Sequence, residues 1–413
     1  PLLQSAAVME NSFSTDVLIV GGGLVGGTLG CALAVGGLRS LVIDRAPIRR
    51  QGVKEMDGRA TAIAQTTKKM LVSLGIWSGL KDRITPILDI RVADERSHLF
   101  LHFDHQVVSG EALGYMVENY YLRRAIFQAV SNHSQVKYLT PVELVEVKRT
   151  ADGVRATLSD GRVIRSALLV GADGRNSFVR QHGEIPVTQW SYKQAGIVCT
   201  VTHQKPHNNV AHEHFFQAGP FAILPLTGNR CSIVWTESEK YAGVLLNLSE
   251  GEFLAELTLR FGEFLGKLRV VGPRTSYPLY LQYTKSSTAR RLALAGDSAH
   301  CLHPIAGQGL NMGLRDVAAL SEVLVDAHRL GLDLGGGYLL KTFERWRRFD
   351  NTIMLAATDG LNRLFSNDIP PLRLLRDLGL AAVNTSGPLK KLFMRQAMGL
   401  TGNLPRLLKG QPI

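Results

Sequence analysis

Cysteine is scarce in this 413-residue chain: Cys31, Cys199, Cys231 and Cys301 are its four cysteines. No two form a Cys-x-x-Cys pair, which excludes the usual zinc and dithiol motifs and points to free thiols in a reducing compartment. Internal repeats and low-complexity tracts are absent. With 45% apolar and 20% charged residues, the composition is that of an ordinary folded protein. A disordered chain, a collagen and a disulfide scaffold are thereby excluded. No basic stretch followed by an apolar run and a cleavage site opens the sequence, so no secretory signal is expected. Val17 to Leu38 is one 22-residue run without charge, but eight of its residues are glycine. Tight backbone turns explain that run better than a membrane span does.

At about 150 residues per domain, the length suggests two or three domains. The net charge is +12, and residues 361–413, with eight basic and two acidic side chains, supply half of it. A basic protein can meet nucleic acid, an acidic membrane or an anionic small molecule. The excess sits in the tail, and no interleaved aromatic-basic patch supports a nucleic-acid partner.

Asp16 to Val20 reads as a buried parallel strand, the small-residue stretch Gly27 to Gly37 as a helix, and Ser40 to Asp44 as a second strand. The Gly-Gly-Gly-Leu-Val-Gly segment between strand and helix spans residues 21–26. Gly21 permits the turn, Gly23 lets backbone approach a pyrophosphate, and Gly26 lets the helix pack closely on the sheet. The helix N-terminus offers unpaired N–H groups to phosphate. Asp44 follows where an acid can bind a ribose hydroxyl. No second such motif occurs, so one dinucleotide fold is expected. Residues 140–170 read as a β-meander, and the alternating segments between Gln194 and Thr236 suggest an antiparallel sheet forming a second domain. Gly309 to Leu330 has helical periodicity.

Three buried strands end in acids: Ile43-Asp44, Ala172-Asp173-Gly174 and Gly296-Asp297. In an open parallel sheet such ends converge on the ligand crevice. With the segment from Leu294 to Asp316, which includes His303-Pro-Ile-Ala-Gly-Gln-Gly-Leu-Asn311, the sequence resembles the class A flavin monooxygenases, the FAD hydroxylases related to para-hydroxybenzoate hydroxylase. The three fingerprints of that family occur in order at residues 21–26, 171–180 and 294–304. The His303 segment and the stretches Trp190 to Thr200 and Ala222 to Thr236 resemble the ubiquinone-biosynthesis hydroxylases within it. The likeness runs from about Thr15 to Gly402.

The resemblance implies an α/β fold: a Rossmann-like FAD-binding domain with an inserted antiparallel β-sheet substrate domain and a helical C-terminus. The expected parts are residues 14–180 and 289–360 for FAD, 181–288 for substrate, and 361–413 as a basic amphipathic helical segment. It also implies site residues. Gly21, Gly23 and Gly26 would line the FAD pyrophosphate, with Leu24, Val25 and Arg45 in the same site, and Asp44 would meet the adenosine ribose. Arg59 would reach the flavin, Arg123 would lie beside the pyrophosphate, and the Val145 backbone would meet adenine. Asp297 would bind the ribityl chain. Pro304, Gly307, Gln308, Gly309, Leu310 and Asn311 would hug the isoalloxazine ring. Asp173 would support either the approach of reduced nicotinamide or the fold. His303 is expected to be structural. No protein nucleophile is required, because the oxygen chemistry belongs to the cofactor.

His203, His207, His212 and His214 fall close together, but no cysteine or paired carboxylate joins them, so a solvated hairpin is expected there and no metal. In the tail, a helix starting at Pro370-Pro371 would align Leu372, Leu375, Leu378 and Gly379. Leu389, Leu392, Phe393, Ala397 and Leu400 would form a second apolar stripe, with Lys390, Lys391 and Arg395 off it. Such a basic amphipathic helix can lie on an anionic membrane or face the core.

The expected activity is NAD(P)H- and O2-dependent hydroxylation of the ring of a polyprenylated phenol or quinol in ubiquinone biosynthesis, through a flavin C4a-hydroperoxide. Other ubiquinone-biosynthesis proteins are the expected partners, and the expected location is the cytoplasmic face of a bacterial inner membrane. The alternatives are a class A hydroxylase of a small soluble aromatic and a non-catalytic flavoprotein subunit.

Overall fold

The structure is a computed structural model that describes residues 12–47, 58–94, 100–107, 110–304, 307–365 and 386–413. It opens with β1 (Ser12–Val20), α1 (Leu24–Val35) and β2 (Ser40–Ile43). Next come β3 (Ala60–Ala64), α2 (Gln65–Ser73), β4 (Ile84–Ile87), β5 (Asp89–Asp94), β6 (Phe100–Asp104) and β7 (Gly114–Glu118). Then follow α3 (Asn119–Ser131), β8 (Val136–Leu139) and the meander β9 (Leu144–Arg149), β10 (Val154–Leu158) and β11 (Val163–Gly171). After the short α4 (Phe178–His182) the chain enters β12 (Val187–His203), β13 (Val210–Phe216), β14 (Gly219–Leu226) and β15 (Arg230–Ser238). Two helices, α5 (Glu239–Asn247) and α6 (Glu250–Phe261), lead to β16 (Leu268–Thr284), β17 (Thr288–Ala289), β18 (Leu292–Leu294) and β19 (His300–Cys301). The last elements are α7 (Gly309–Arg329), α8 (Gly337–Phe365), α9 (Gly387–Ala397) and α10 (Arg406–Lys409).

The first sheet runs β17-β18-β11-β1-β2-β8, with β10 and β9 extending from β11. β1 is parallel to both β2 and β11, and β11 is parallel to β18. Central parallel strands are buried on both faces, which is why Val17 to Ile19 and Leu168 to Val170 read as unbroken apolar runs. One face packs on α1, α3 and α7 through Leu29, Ile126, Val317 and Leu324, and the other packs on the meander through Leu144, Val154 and Ala156.

The second sheet runs β19-β16-β12-β15-β14-β13-β5-β6. One face is covered by α5 and α6, with Trp235, Phe221 and Phe253 in the core between them. A small third sheet, β3-β7-β4, joins the two halves. Residues 14–180, expected to belong to the FAD part, also contribute strands to the second sheet. β5 and β6 belong to the second sheet, because Asp89–Asp94 pairs in parallel with Val210–Phe215. That pairing joins segments far apart in the chain, and no local pattern signals it.

Of the two orientations expected for the C-terminal stripe, the core-facing one does not hold for its whole length: α9 buries Met394, and the following Met398, against Leu113, while Leu392 (57% exposed) and Phe393 (48%) are largely exposed. The docked face is set by packing on Ile90 and Phe103 of β5 and β6. The helix expected at Pro370-Pro371 lies outside the described residues.

Candidate active site

A cleft of about 1120 Å³ lies where the C-terminal ends of the parallel strands meet the open face of the second sheet. The first wall is made largely of main chain. Gly21 turns at φ +100°, and a side chain there would strike the Ala172 carbonyl. A side chain at Gly26 would collide with the carbonyl oxygen of Gly21. By contrast, a Cβ on Gly23 would touch nothing within 4 Å. So Gly21 and Gly26 close the loop on itself, and Gly23 leaves open space over the first turn of α1. That turn has no side-chain cap and no acid, so its N–H groups stay available to an anion. Gly23, Leu24, Val25 and Arg45 line the cleft.

Asp44, at the end of β2, accepts the Gly22 N–H at 2.7 Å on one oxygen and the Ala46 N–H at 2.8 Å on the other. It thus holds the glycine loop, and each oxygen keeps a further lone pair for a hydroxyl. Asp297 sits on the 3-10 turn after β18 and lines the cleft with Arg59 and Arg175. Crowding by protein pushes its carboxyl up, while His300, Arg175 and Arg59 pull the other way. Asp173 accepts the Val179 N–H at 3.1 Å and so fixes α4, the fold role among its two expectations. Its other oxygen, Oδ1, is buried without a protein hydrogen-bond partner among the described residues, and burial raises the carboxyl. Such an orphan in a cleft wall suits a polar ligand.

Pro304, Gly307 and Gln308 ahead of α7, and Gly309 to Asn311 in its first turn, line the same cleft. Gly307 adopts φ +61°. α7 has no side-chain cap and no acid in its first turn, so its dipole favours negative charge in the cleft. Asn311 has a structural part besides lining the cleft. Its Oδ1 accepts the Ala64 N–H and its Nδ2 donates to the Ala62 carbonyl, both at 2.9 Å. It clips β3 to α7. His303 is buried off the cleft, with its ring edge-on to Tyr192, and burial brings its pKa down to about 4.

Arg123 and Val145 are not among the residues that line the cleft. Arg123 lies on the exposed side of α3, the helix whose Ile126 packs against α1 at Gly27. Val145 is 58% exposed, because the alternation of β9 buries Leu144 and Val147 instead. The backbone that closes on Asp44 is that of Val142, whose N–H donates to the Asp44 carbonyl at 2.9 Å. The histidine group is not a solvated hairpin. His203 is buried, with Nδ1 on the Lys205 carbonyl at 2.8 Å, and His212 and His214 are half-buried in β13.

Sequence reasoning also missed a buried network. Asp316 of α7 accepts from His300 Nε2 at 2.6 Å, Arg347 Nε at 2.8 Å and the Gly296 N–H at 3.0 Å. These contacts hold its carboxylate down to about 2 despite full burial. The network fixes the turn that carries Asp297. Arg175, next to the recognised Asp173-Gly174, carried a local signal; Tyr277, which also lines the cleft, carried none.

The FAD binding domain family matches residues 14–348. The chain is 51% identical to ubiquinone hydroxylase UbiL of Rhodospirillum rubrum, over 96% of this chain and 93% of that protein. It is 36% identical to 3-demethoxyubiquinol 3-hydroxylase of Escherichia coli, over 94% and 99%. Among solved structures, p-nitrophenol 4-monooxygenase PnpA of Pseudomonas putida superposes with a TM-score of 0.78 at 19% identity, covering 95% of this chain and 99% of that one. The chain belongs to the FAD-binding-domain family of flavin monooxygenases, and within it to the ubiquinone hydroxylase group. The open space over Gly23, the uncapped α1 and the orphaned Asp173 oxygen fit FAD.

Proposed function

We propose that this protein is an FAD-dependent monooxygenase that hydroxylates the aromatic ring of a polyprenylated phenol or quinol in ubiquinone synthesis. The observation that carries the reading is a single cleft joining a glycine-built cofactor wall to an apolar sheet wall. Its volume, about 1120 Å³, lies above the range of about 300–1,000 Å³ usual for one small ligand. Likeness to ubiquinone hydroxylases along nearly the whole chain supports the substrate class.

Gly21, Gly23, Leu24, Val25 and Gly26 would hold the pyrophosphate on the α1 N-terminus, with Arg45 beside it. Asp44 would take the adenosine ribose and Asp297 the ribityl chain. Arg59, Pro304 and residues 307–310 would surround the flavin ring, while Asn311 holds β3 in place behind it. When bound, FAD supplies electron transfer from NAD(P)H and activation of O2. The α7 N-terminus stabilises negative charge next to it without reorganisation. The sheet wall excludes water and receives the apolar part of the substrate.

Membrane contact through α9 belongs to the same proposal. Lys391 and Arg395 are exposed beside Leu392 and Phe393, and Phe393 also lines the cleft. No described helix is long and apolar enough to cross a membrane.

The test is mass spectrometry of quinone intermediates in cells lacking the gene. A prenylated ring short of one hydroxyl should accumulate, and should disappear when the gene is returned. An unchanged profile in a strain without a paralogue would overturn the reading.

A further inference from the structure

We infer that Glu213 is the group that anchors the substrate, accepting a hydrogen bond from a hydroxyl of its aromatic ring. This rests on the reading of a prenylated phenol or quinol as substrate. Glu213 lies in the middle of β13 and lines the cleft. Alternation along the strand gives its face to Ala211 and Phe215, which also line the cleft. Its register partners are Ala222 on β14 and Val92 on β5, and both line the cleft as well. Glu213 is thus a carboxylate on a cleft wall that otherwise carries Ala211, Phe215, Ala222, Val92, Ile90 and Leu224; it has a polar partner of its own, and a carboxylate has acceptor sites for more than one. Among the described residues of this sheet that line the cleft, it is the one carboxylate.

The neighbouring histidines do not compete for this role. His212 and His214 occupy the alternate positions, and the His212 ring packs on Phe264 at 4.8 Å. The strand partner of His212 is Ile223, in the core beneath α5 and α6. His214 does not line the cleft, and His212 borders it while its ring lies against Phe264.

An apolar wall binds a prenylated ring but does not orient it. A phenolic hydroxyl donates, and a carboxylate only accepts. Their charge-assisted bond is strong in a water-poor site and fixes the ring hydroxyl at one point. Fixing that point sets which ring carbon turns toward the Pro304–Leu310 wall. Glu213 is in this sense a specificity residue, and the bond requires no net transfer of the proton.

The test uses the FAD-loaded enzyme and two probes, 2-prenylphenol and its methyl ether, each titrated against the visible spectrum of the flavin. The wild type should bind the phenol about tenfold or more tightly than the ether, as a hydrogen bond to a charged group implies. Glu213→Leu should reduce that ratio to near one while ether affinity and FAD content stay as in the wild type. Glu213→Gln keeps the volume, and should lower the ratio at least about threefold if the leucine variant does not load FAD. A variant that retains the wild-type preference, or a wild type with no preference, overturns the role of Glu213 and leaves the substrate class standing. A wild type that binds neither probe overturns the substrate class, and the anchoring role with it.

Discussion

The two walls of the cleft are built from different materials. On the parallel-sheet side the contacts come from main chain: a glycine loop, two uncapped helix ends and the turns after β11 and β18. On the antiparallel side they come from side chains of β5, β13, β14 and β15, a mostly apolar set with one carboxylate. A wall of backbone tolerates few substitutions, because its geometry is the binding site. A wall of side chains can change residue by residue without disturbing the cofactor. Such a division lets one cofactor platform serve many ring substrates, with specificity held on the sheet.

The sharpest way to break this comparison lies within the loop itself. Gly26→Val places a side chain against the Gly21 carbonyl, where only backbone can give way. The expected cost is about 3 kcal/mol or more, with loss of folded, FAD-loaded protein in thermal melts and flavin content. Gly23→Ala adds a methyl to open space. Melting of the FAD-free protein should not change, while FAD affinity falls about tenfold as phosphate contacts to the N–H groups are lost. If Gly23→Ala melts early, the loop is held together by its own packing at that point too, and the space over it is not the cofactor cradle.

Next in size is the network behind the cofactor wall. Asp316→Asn strips the charge from a buried carboxylate and leaves the buried Arg347 guanidinium with Asp350 as its remaining carboxylate partner. About 1–3 kcal/mol of stability should be lost at neutral pH. The carboxyl is held down to about 2 in the fold, against 3.8 for the ordinary group. A depressed pKa stabilises above the unfolded value and is lost as pH falls through the folded one. The melting difference between wild type and Asp316→Asn should therefore be largest near neutrality and shrink between about pH 4 and pH 2. A difference independent of pH would assign the effect to packing rather than charge.

The same contrast decides what could be read from the sequence. Gly21, Gly23, Gly26, Asp44 and Asp297 were legible because a backbone site imposes fixed local spacing and leaves glycine or acid at each strand end. Asn311 was legible as a position, but not as the clip on Ala62 and Ala64, which depends on two segments meeting in space. The meander after Asp44 was legible as alternation, but not that its main chain closes on Asp44 at Val142, a contact between segments about a hundred residues apart in the chain. Glu213 sat inside a segment noticed only for its histidines. Its importance comes from the parallel pairing of β13 with β5, a tertiary fact with no local period. The docked face of α9 was left open for a similar reason, since the packing of Met394 on Leu113 joins segments far apart in the chain.

The sheet wall should yield a substrate effect without a cofactor effect. Ala222→Phe adds a ring where Ala222 faces the cleft next to Glu213. The Michaelis constant for a prenylated phenol should rise about tenfold, with flavin content and melting temperature unchanged. A parallel loss of FAD would mean that the two walls are coupled, and the division of labour would fail.

The smallest effect concerns the rim. Lys391 and Arg395 lie on the exposed side of α9, near Phe393 at the edge of the cleft. A basic residue close to an anionic bilayer contributes about 1 kcal/mol, an amount that salt screens. Reversing both charges, as Lys391→Glu with Arg395→Glu, should weaken binding to phosphatidylglycerol vesicles about tenfold or more at low salt. Neither side chain is buried, so turnover of a short-tailed soluble phenol should stay at the wild-type rate. Loss of vesicle binding with turnover intact would make the lipid surface a third wall, the one through which a long apolar tail enters the sheet side of the cleft. Unchanged vesicle binding would leave α9 as a packing element only, with Met394 on Leu113 as its purpose.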